Sequence, residues 1–182
     1  MTVEEIFAQL GQHMIKGLMV HTQLADYFCF LGLKGYFKCH EYHYFKESKN
    51  YRSLTEFYLC YYNKFITDSH VANPQIIPES WYRYTRQQVD SSTRKTGVVN
   101  GFEKWVNWET ETLSLYQNMY KELLNLGEIV AAEEVLTYLV ETSEELAAAR
   151  QKQLELKEID YDIGDIMMEQ NELYEKYENK IK

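Results

Sequence analysis

The sequence predicts an all-α protein, a long antiparallel helical bundle, from three observations. Only two prolines occur in 182 residues, Pro74 and Pro78, and they lie in one segment, so long stretches contain no helix breaker. Apolar residues recur three and four positions apart through these stretches, as on the buried face of a helix. The hydrophobic content of 45% and aromatic content of 15% exclude a disordered chain. This length fits a single helical domain, residues 1–182.

The first two predicted helices form a hairpin. The first begins after Thr2, with Glu5 in the position of a capping box. Its apolar face runs through Ile6, Leu10, Met14, Leu18, Leu24, Phe28 and Leu31. Gly32 and Gly35 mark a short break, so the second helix, about 36–66, should be an antiparallel neighbour of the first. The second helix is rich in aromatic residues, and its lack of turn signals favours a helix over a strand.

The middle of the chain predicts a crossover followed by a third helix. Residues 67–96 contain both prolines and the polar run 90–93. An irregular segment of this length is typical of a connection between distant elements. The third helix should cover about 98–126 and end at Gly127, a residue that suits the position after a helix.

The fourth helix, about 128–157, should form a second hairpin with the third. Its apolar positions form a coiled-coil-like seam, namely Ile129, Ala132, Leu136, Leu139, Ser143 and Leu146. A last acidic helix covers about 160–180. Two hairpins joined by one long crossover are the connectivity of ferritin-like bundles.

A di-iron centre of the ferritin-like type needs Glu-x-x-His on two helices, because residues three apart share a helix face. The positions three before the five histidines hold no glutamate: they are Leu10, Leu18, Phe37, His40 and Thr67. We therefore expect a packed core with no metal ion and no cofactor. His40, His43 and Glu47 do share one face. Together with Asp26 they could form a mononuclear zinc or iron site, or a hydrogen-bonded polar patch.

Other catalytic chemistries lack their signatures. The sequence contains neither a phosphate-binding glycine loop nor a Gly-x-Ser-x-Gly motif. Cys29, Cys39 and Cys60 are an odd number without metal-site spacing, so they are expected to be buried free thiols. The sequence therefore predicts a protein that is not an enzyme.

The charge is concentrated in the second half of the chain. The net charge is −9, with +2 in residues 1–100 and −11 in residues 101–182. An acidic half disfavours a phosphate backbone as the partner and favours a basic protein surface. The candidate partner-binding acids are Glu133, Glu134, Glu141, Glu144 and Glu145 on the fourth helix, and Asp160, Asp162 and Asp165 after it.

The crossover contains a group of aromatic and basic residues. They are Trp81, Tyr82, Arg83, Tyr84 and Arg86, followed by Arg94 and Lys95. Trp, Tyr and Arg are enriched at binding hot spots and also suit base stacking and phosphate contact. These residues are therefore candidates for an anchor on a protein partner or for a nucleic-acid contact. They could equally attach the crossover to the bundle.

Residues 13–28 with 40–45, 73–84 and 102–109 together resemble a family of small helical proteins from phages and mobile elements of gut Firmicutes. This family includes type II anti-CRISPR proteins, which inhibit Cas9. The resemblance implies a protein that binds Cas9, or its guide RNA or DNA complex, and blocks DNA recognition or cleavage. It supplies no functional residues, because none of the shared motifs is a known site.

The function predicted from the sequence is therefore a non-enzymatic anti-CRISPR inhibitor from a mobile element. Two alternatives stay open: a ferritin-like metal-binding protein with a degenerate site, and a nucleic-acid-binding helical module. The fourth-helix seam is compatible with a homodimer. The first residues lack a signal peptide and no apolar run is long enough to span a membrane, so the expected location is the cytoplasm of a bacterial host.

Overall fold

The computed structural model describes residues 1–66 and 89–181, and this part of the chain folds into five α-helices. They are α1 (Val3–Phe30), α2 (Lys34–Tyr62), α3 (Ser91–Asn125), α4 (Ile129–Glu158) and α5 (Ile163–Ile181). The hairpins α1–α2 and α3–α4 pack against each other mainly through α1 and α3. The predicted all-α bundle is confirmed. Within the described residues, no helix combines the length and the apolar character needed to cross a membrane.

The start of α1 agrees with its sequence signature. Thr2 Oγ1 accepts a hydrogen bond from the Glu5 backbone N–H at 3.2 Å, and Glu5 Oε2 accepts one from the Thr2 N–H at 2.8 Å. This reciprocal pair satisfies two backbone donors that the first turn leaves unpaired. Gly32 then breaks the helix with a φ of 79°, which a residue without Cβ adopts at little cost.

Two boundaries around the crossover differ from the prediction. Helix α3 begins at Ser91, not at 98, because the Asp90 carboxylate accepts a hydrogen bond from the Thr93 N–H at 2.7 Å and caps the helix. The polar residues expected to form a loop therefore make the first helical turn. At the other end, α2 stops at Tyr62, because Asn63 adopts a left-handed conformation with a φ of 53°.

The fifth helix supplies the cap that α2 lacks. Leu33, at the N-cap position of α2, makes no side-chain cap. Instead, Gln170 Oε1 on α5 accepts hydrogen bonds from the backbone N–H groups of Gly35 at 2.7 Å and Tyr36 at 3.3 Å. A Cβ at Gly35 would lie 2.7 Å from the Gln170 carbonyl oxygen, so this close approach requires glycine.

The buried face of α4 differs from the predicted seam. Ala132 and Leu146 are buried, but Ile129 and Leu136 are 61% and 38% exposed. The face that enters the core is shifted, and its buried members are Ala131, Ala132, Val135, Tyr138, Thr142, Leu146, Ala149 and Leu156. Sequence spacing alone could not show which side of α4 is buried, because α4 carries apolar residues on both sides.

The core consists of two apolar clusters at opposite ends of the bundle. The first lies near the α1–α2 turn and includes Phe28, Leu31 and Phe102. The second lies near the start of α1 and includes Phe7 and Tyr58. Between the two clusters the facing positions of the four long helices carry polar side chains.

The free cysteines differ in exposure. Cys39 is buried and Cys29 is partly buried, but Cys60 is exposed. The expectation of three buried thiols is therefore wrong for Cys60. Its helical position faces solvent although aromatic residues flank it in the sequence.

Candidate functional site

Polar side chains from all four long helices meet between the two apolar clusters. They are His21 on α1, His40, His43 and Glu47 on α2, Glu109 on α3 and Glu145 on α4. We call these six residues the central cluster. Five of them are at most 8% exposed, and the side chain of Glu145 is 14% exposed. Burying so many ionisable groups requires that they be paired, neutral or bound to a cation.

One side of the central cluster joins α1, α2 and α3. His21 Nδ1 lies 3.2 Å from His40 Nδ1, so one of these two nitrogens carries a hydrogen and donates a hydrogen bond to the other. His21 Nε2 lies 3.7 Å from Glu109 Oε1, which also accepts a hydrogen bond from Trp105 Nε1 at 3.0 Å. Burial lowers the pKa of His21 to about 3, so its ring is neutral at neutral pH.

Aromatic rings fix the position of His40. Its ring stacks on Phe28 with centroids 5.3 Å apart and meets the edge of Trp105 at 4.7 Å. Burial, together with His21 and His43, holds the pKa of His40 well below its usual value. His40 is therefore a neutral, oriented imidazole in the metal-free protein.

The other side of the central cluster joins α2 and α4. His43 Nδ1 lies 3.5 Å from Glu145 Oε1, and Lys46 Nζ on α2 lies 2.5 Å from the same oxygen. Burial lowers the pKa of His43, but Cys39 and Glu145 together raise it by more, so it lies well above its usual value. Burial likewise raises the pKa of Glu145, whereas His43 and Lys46 outweigh this effect and lower it to about 2. This pair is therefore ionic.

The carboxyl groups of Glu47 and Glu109 lie near too little positive charge to stabilise their ionised forms. Burial, with the nearby carboxylates, raises the pKa of Glu47 well above its usual value and that of Glu109 to about 8. Glu47 lies directly over Gly17 of α1, where an added Cβ would be 3.1 Å from its carboxyl carbon. In the absence of another cation, Glu109 is therefore mostly protonated at neutral pH, and Glu47 keeps its proton to a higher pH than an exposed glutamate.

Three polar atoms of the central cluster make no hydrogen bond within the part of the chain that the structure describes. They are His21 Nε2, His43 Nδ1 and Glu47 Oε2. Each is a nitrogen or oxygen of the kind that binds transition metals. Buried polar atoms of native proteins are normally paired, and two of these three do face a carboxylate oxygen: His21 Nε2 lies 3.7 Å from Glu109, and His43 Nδ1 lies 3.5 Å from Glu145.

Some positions of the central cluster correspond to those of a known arrangement, but most of the residue types differ. Ferritin-like di-metal proteins place one glutamate on each of two helices and an i, i+3 pair on each of the other two. Here α1 supplies His21 and α3 supplies Glu109. Helix α2 supplies the pair His40 and His43, and α4 supplies Thr142 and Glu145, also three apart. The Glu-x-x-His signature does not reveal these positions, because their residue types differ from it.

Imidazole and carboxylate are donor types that divalent transition-metal ions accept, but these side chains are not gathered around one point. Among residues 1–66 and 89–181, no three His, Cys, Asp or Glu side chains are arranged to hold a metal ion. They form two pairs instead, His21 with Glu109 and His43 with Glu145, at 3.7 and 3.5 Å. Two ligands of one tetrahedrally bound ion are about 3.4 Å apart when each bond is about 2.1 Å. Each pair is close to this spacing, but neither has a third ligand beside it, so binding would require further side chains to move.

The other sequence-predicted candidates lie away from this cluster. Trp81, Tyr82, Arg83, Tyr84 and Arg86 are outside the described residues. Asp26 is exposed and does not join the buried histidines. Arg94 and Lys95 lie in the first turns of α3, where Arg94 Nε donates to the Leu31 carbonyl at 2.7 Å and Lys95 pairs with Asp160 at 2.9 Å.

The candidate acids of α4 and α5 divide into three groups. Glu133 and Glu144 are exposed, as are Asp160, Asp162 and Asp165 near the start of α5. Glu134 bonds to Tyr138, and Glu141 accepts from Asn50 at 3.1 Å and pairs with Lys46 at 3.4 Å. Glu145 faces the core, not the outer surface for which it was proposed. Glu145 lies on the side of α4 that faces α2, so it cannot belong to a docking surface.

Comparison with protein families and with curated proteins gives no match. Solved structures do share the fold. A closed form of the Archaeoglobus fulgidus ferritin engineered by site-directed mutagenesis matches with a TM-score of 0.77 and 18% identity, over 96% of each chain. A humanized archaeal ferritin gives 0.77 and 17% over 94% of each chain, and a novel open-pore ferritin from the hyperthermophilic archaeon Archaeoglobus fulgidus gives 0.76 and 16% over 94% of each chain. The chain therefore has the ferritin-like bundle fold.

Proposed function

We propose that this chain is a ferritin-like protein that binds a divalent transition-metal ion in the central cluster. The observation that carries the proposal is that imidazole and carboxyl groups from all four long helices meet at the buried centre of the bundle. His21, His43, Glu109 and Glu145 would be the first ligands. Glu47, with its unbonded Oε2, would rotate to complete the set.

The charges of the central cluster support a cation there. Glu47, Glu109 and Glu145 are buried carboxyl groups, and Lys46 is the one lysine paired with any of them among the described residues. A bound dication would let Glu47 and Glu109 ionise, because metal ligands bind in their deprotonated form. Mixed imidazole and carboxylate ligands suit Fe²⁺, Zn²⁺ or Mn²⁺. Such an ion, when bound, supplies Lewis-acid or redox chemistry.

Metal analysis of protein purified without chelators tests the proposal. We expect stoichiometric iron, zinc or manganese, and a Co²⁺ titration that raises the melting temperature. At a ligand concentration 100 times Kd, binding adds about 2.7 kcal/mol to the free energy of unfolding. His43→Ala should lose the metal and this stabilisation.

His13→Ala is the matched control. His13 is a half-buried histidine outside the central cluster, where it stacks on Trp108 at 4.5 Å and bonds to Thr112 at 2.8 Å. This variant should keep the metal. A wild-type protein without stoichiometric metal and without a Co²⁺ effect would remove the proposal, as would equal metal content in the two histidine variants.

Inhibition of Cas9 stays a second proposal. The solved structures that share the fold give no support for it. The exposed acids Glu133 and Glu144 on α4 support it, since a basic partner surface could reach them. Glu133→Gln with Glu144→Gln should weaken a salt-sensitive complex with Cas9, measured by pull-down and DNA cleavage. Absence of both binding and inhibition across several Cas9 orthologues would end this proposal. The prediction that the chain is not an enzyme remains a prediction, as does its cytoplasmic location.

A further inference from the structure

We propose that the cavity between α2, α3, α4 and α5 binds a small neutral molecule of two fused aromatic rings, which presents a hydrogen-bond acceptor to the Tyr36 hydroxyl. None of the six residues of the central cluster lines this cavity. The proposal therefore concerns a second site and does not depend on a metal ion in the central cluster.

The size of the cavity is the first argument. Helix α5 packs mainly on α2, and a space remains between α5 and α4. The volume of this space is about 290 Å³, at the lower end of the range of ligand sites, which begins at about 300 Å³. An apolar cavity of about 150 Å³ binds benzene, so twice that volume suits two fused rings.

The aromatic walls are the second argument. Tyr36 on α2 and Phe102 and Trp105 on α3 form the inner wall. The rings of Tyr36 and Phe102 meet edge to face with centroids 5.2 Å apart, and those of Phe102 and Trp105 lie 5.7 Å apart. Leu173 and Tyr177 of α5 form the outer side. Aromatic rings pack favourably on other aromatic rings, so these walls favour a planar aromatic ligand.

The Tyr36 hydroxyl is the third argument. Tyr36 is 3% exposed, and its hydroxyl makes no hydrogen bond within residues 1–66 and 89–181. A buried tyrosine hydroxyl normally has a partner. Burial raises the pKa of Tyr36, as do three neighbours that also line the cavity, Glu169, Cys39 and Glu155. The hydroxyl therefore keeps its hydrogen, and an acceptor on a bound molecule would supply its missing partner.

The charges at the solvent side of the cavity cancel. Two lysines and two glutamates line it there, namely Lys152, Lys176, Glu155 and Glu169. Lys152 pairs with Glu155 at 3.5 Å and also with Glu169. Lys176 is exposed, and its Nζ lies 5.4 Å from the centroid of the Tyr177 ring. Because the positive and negative charges are equal in number, no net charge attracts an ion, and a neutral ligand is favoured.

The first experiment compares quinoline with naphthalene, since the two molecules have the same shape and only quinoline carries an acceptor, its ring nitrogen. Equilibrium dialysis against the full-length protein, with chelator present, gives the two dissociation constants. Tyr36→Phe should weaken quinoline binding by about tenfold, the effect of leaving a buried acceptor unpaired, and should leave naphthalene binding unchanged. Tyr58→Phe is the matched control, because Tyr58 is also a buried tyrosine but belongs to the other apolar cluster. It should change neither constant.

The second experiment locates the bound molecule. Ala148 lines the cavity from an exposed position of α4, so Ala148→Trp should fill the cavity without disturbing the core and should abolish binding of both molecules. Ala147→Trp is the matched control, because Ala147 is exposed and does not line the cavity. The melting temperature of Tyr36→Phe without ligand should equal or exceed that of wild type, because its hydroxyl has no hydrogen bond to lose.

Each of four results would overturn the proposal. Quinoline that does not bind the wild type at about 1 mM removes the site. Binding that survives Ala148→Trp places the molecule elsewhere. An equal effect of Tyr36→Phe on quinoline and naphthalene removes the role of the hydroxyl, and a lower melting temperature of that variant shows that the hydroxyl already has a partner. The chelator separates all of these results from the outcome of the metal analysis.

Discussion

Replacing Glu109 by glutamine should stabilise the metal-free protein, and the gain should grow with pH. Burial and the nearby Glu145 raise the pKa of Glu109 to about 8 in the folded protein, against an ordinary value of 4.5. The folded state therefore binds this proton more tightly than the unfolded state does. The contribution of Glu109 to the free energy of unfolding is fully present below pH 4.5 and is lost as pH rises to about 8. This loss amounts to about 5 kcal/mol above pH 8, of which roughly 3 kcal/mol has occurred at pH 7. Glutamine retains the acceptor for Trp105 and has no such proton to lose.

Urea unfolding in the presence of a chelator, followed by circular dichroism from pH 5 to pH 8, measures this effect. The free energies of unfolding of Glu109→Gln and wild type should nearly coincide at pH 5 and separate steadily above it. Glu111→Gln is the control, since Glu111 lies on the same helix but is exposed. A difference between Glu109→Gln and wild type that stays constant with pH, or a variant less stable than wild type at pH 8, would refute the reasoning. A metal concentration of about 1,000 times Kd adds about 4.1 kcal/mol to the free energy of unfolding and should reverse the order at pH 7, because only the wild type keeps the proposed ligand.

Two further predictions concern the fold around the site. Gln170→Ala should lower the free energy of unfolding by about 1 to 2 kcal/mol in urea denaturation, because it uncaps α2; an unchanged stability would show that water replaces this cap without loss. Gly101→Ala should cost about 1 to 3 kcal/mol, because the added Cβ would lie 2.5 Å from the Phe28 ring and force α1 and α3 apart. A melting temperature equal to that of wild type would contradict that close packing.

The sequence was sufficient for the helices but not for all of their ends. The capping box at Thr2 and the break at Gly32 are local signals, and both are confirmed. The run 90–93 is ambiguous, because polar residues that favour loops are the same residues that cap helices. Only the hydrogen bond from the Thr93 N–H to Asp90 decides between the two, and sequence spacing does not reveal it.

The central cluster was only partly predictable for a different reason. His40 and His43 stand three apart and were singled out, but Glu109 and Glu145 resemble the many other acids of α3 and α4. Which acid turns inward depends on the rotation of each helix against its neighbours. On α4 the apolar residues occupy both faces, so hydrophobic periodicity could not separate the inward Glu145 from the outward Glu144.

Burying the central cluster destabilises the folded protein, and this favours a ligand there. Buried ionisable groups are often replaceable by apolar residues with no loss of stability, or with a gain. Here the flanking clusters are well packed on either side, and an apolar belt would join them into one continuous core. The chain instead places three carboxyl groups and three histidines there, and leaves three of their polar atoms without a hydrogen bond inside the described structure. Packing does not account for that arrangement, and the proposed cation would give a closer partner to the two histidine nitrogens, which lie 3.5 to 3.7 Å from a carboxylate oxygen, and to Glu47 Oε2.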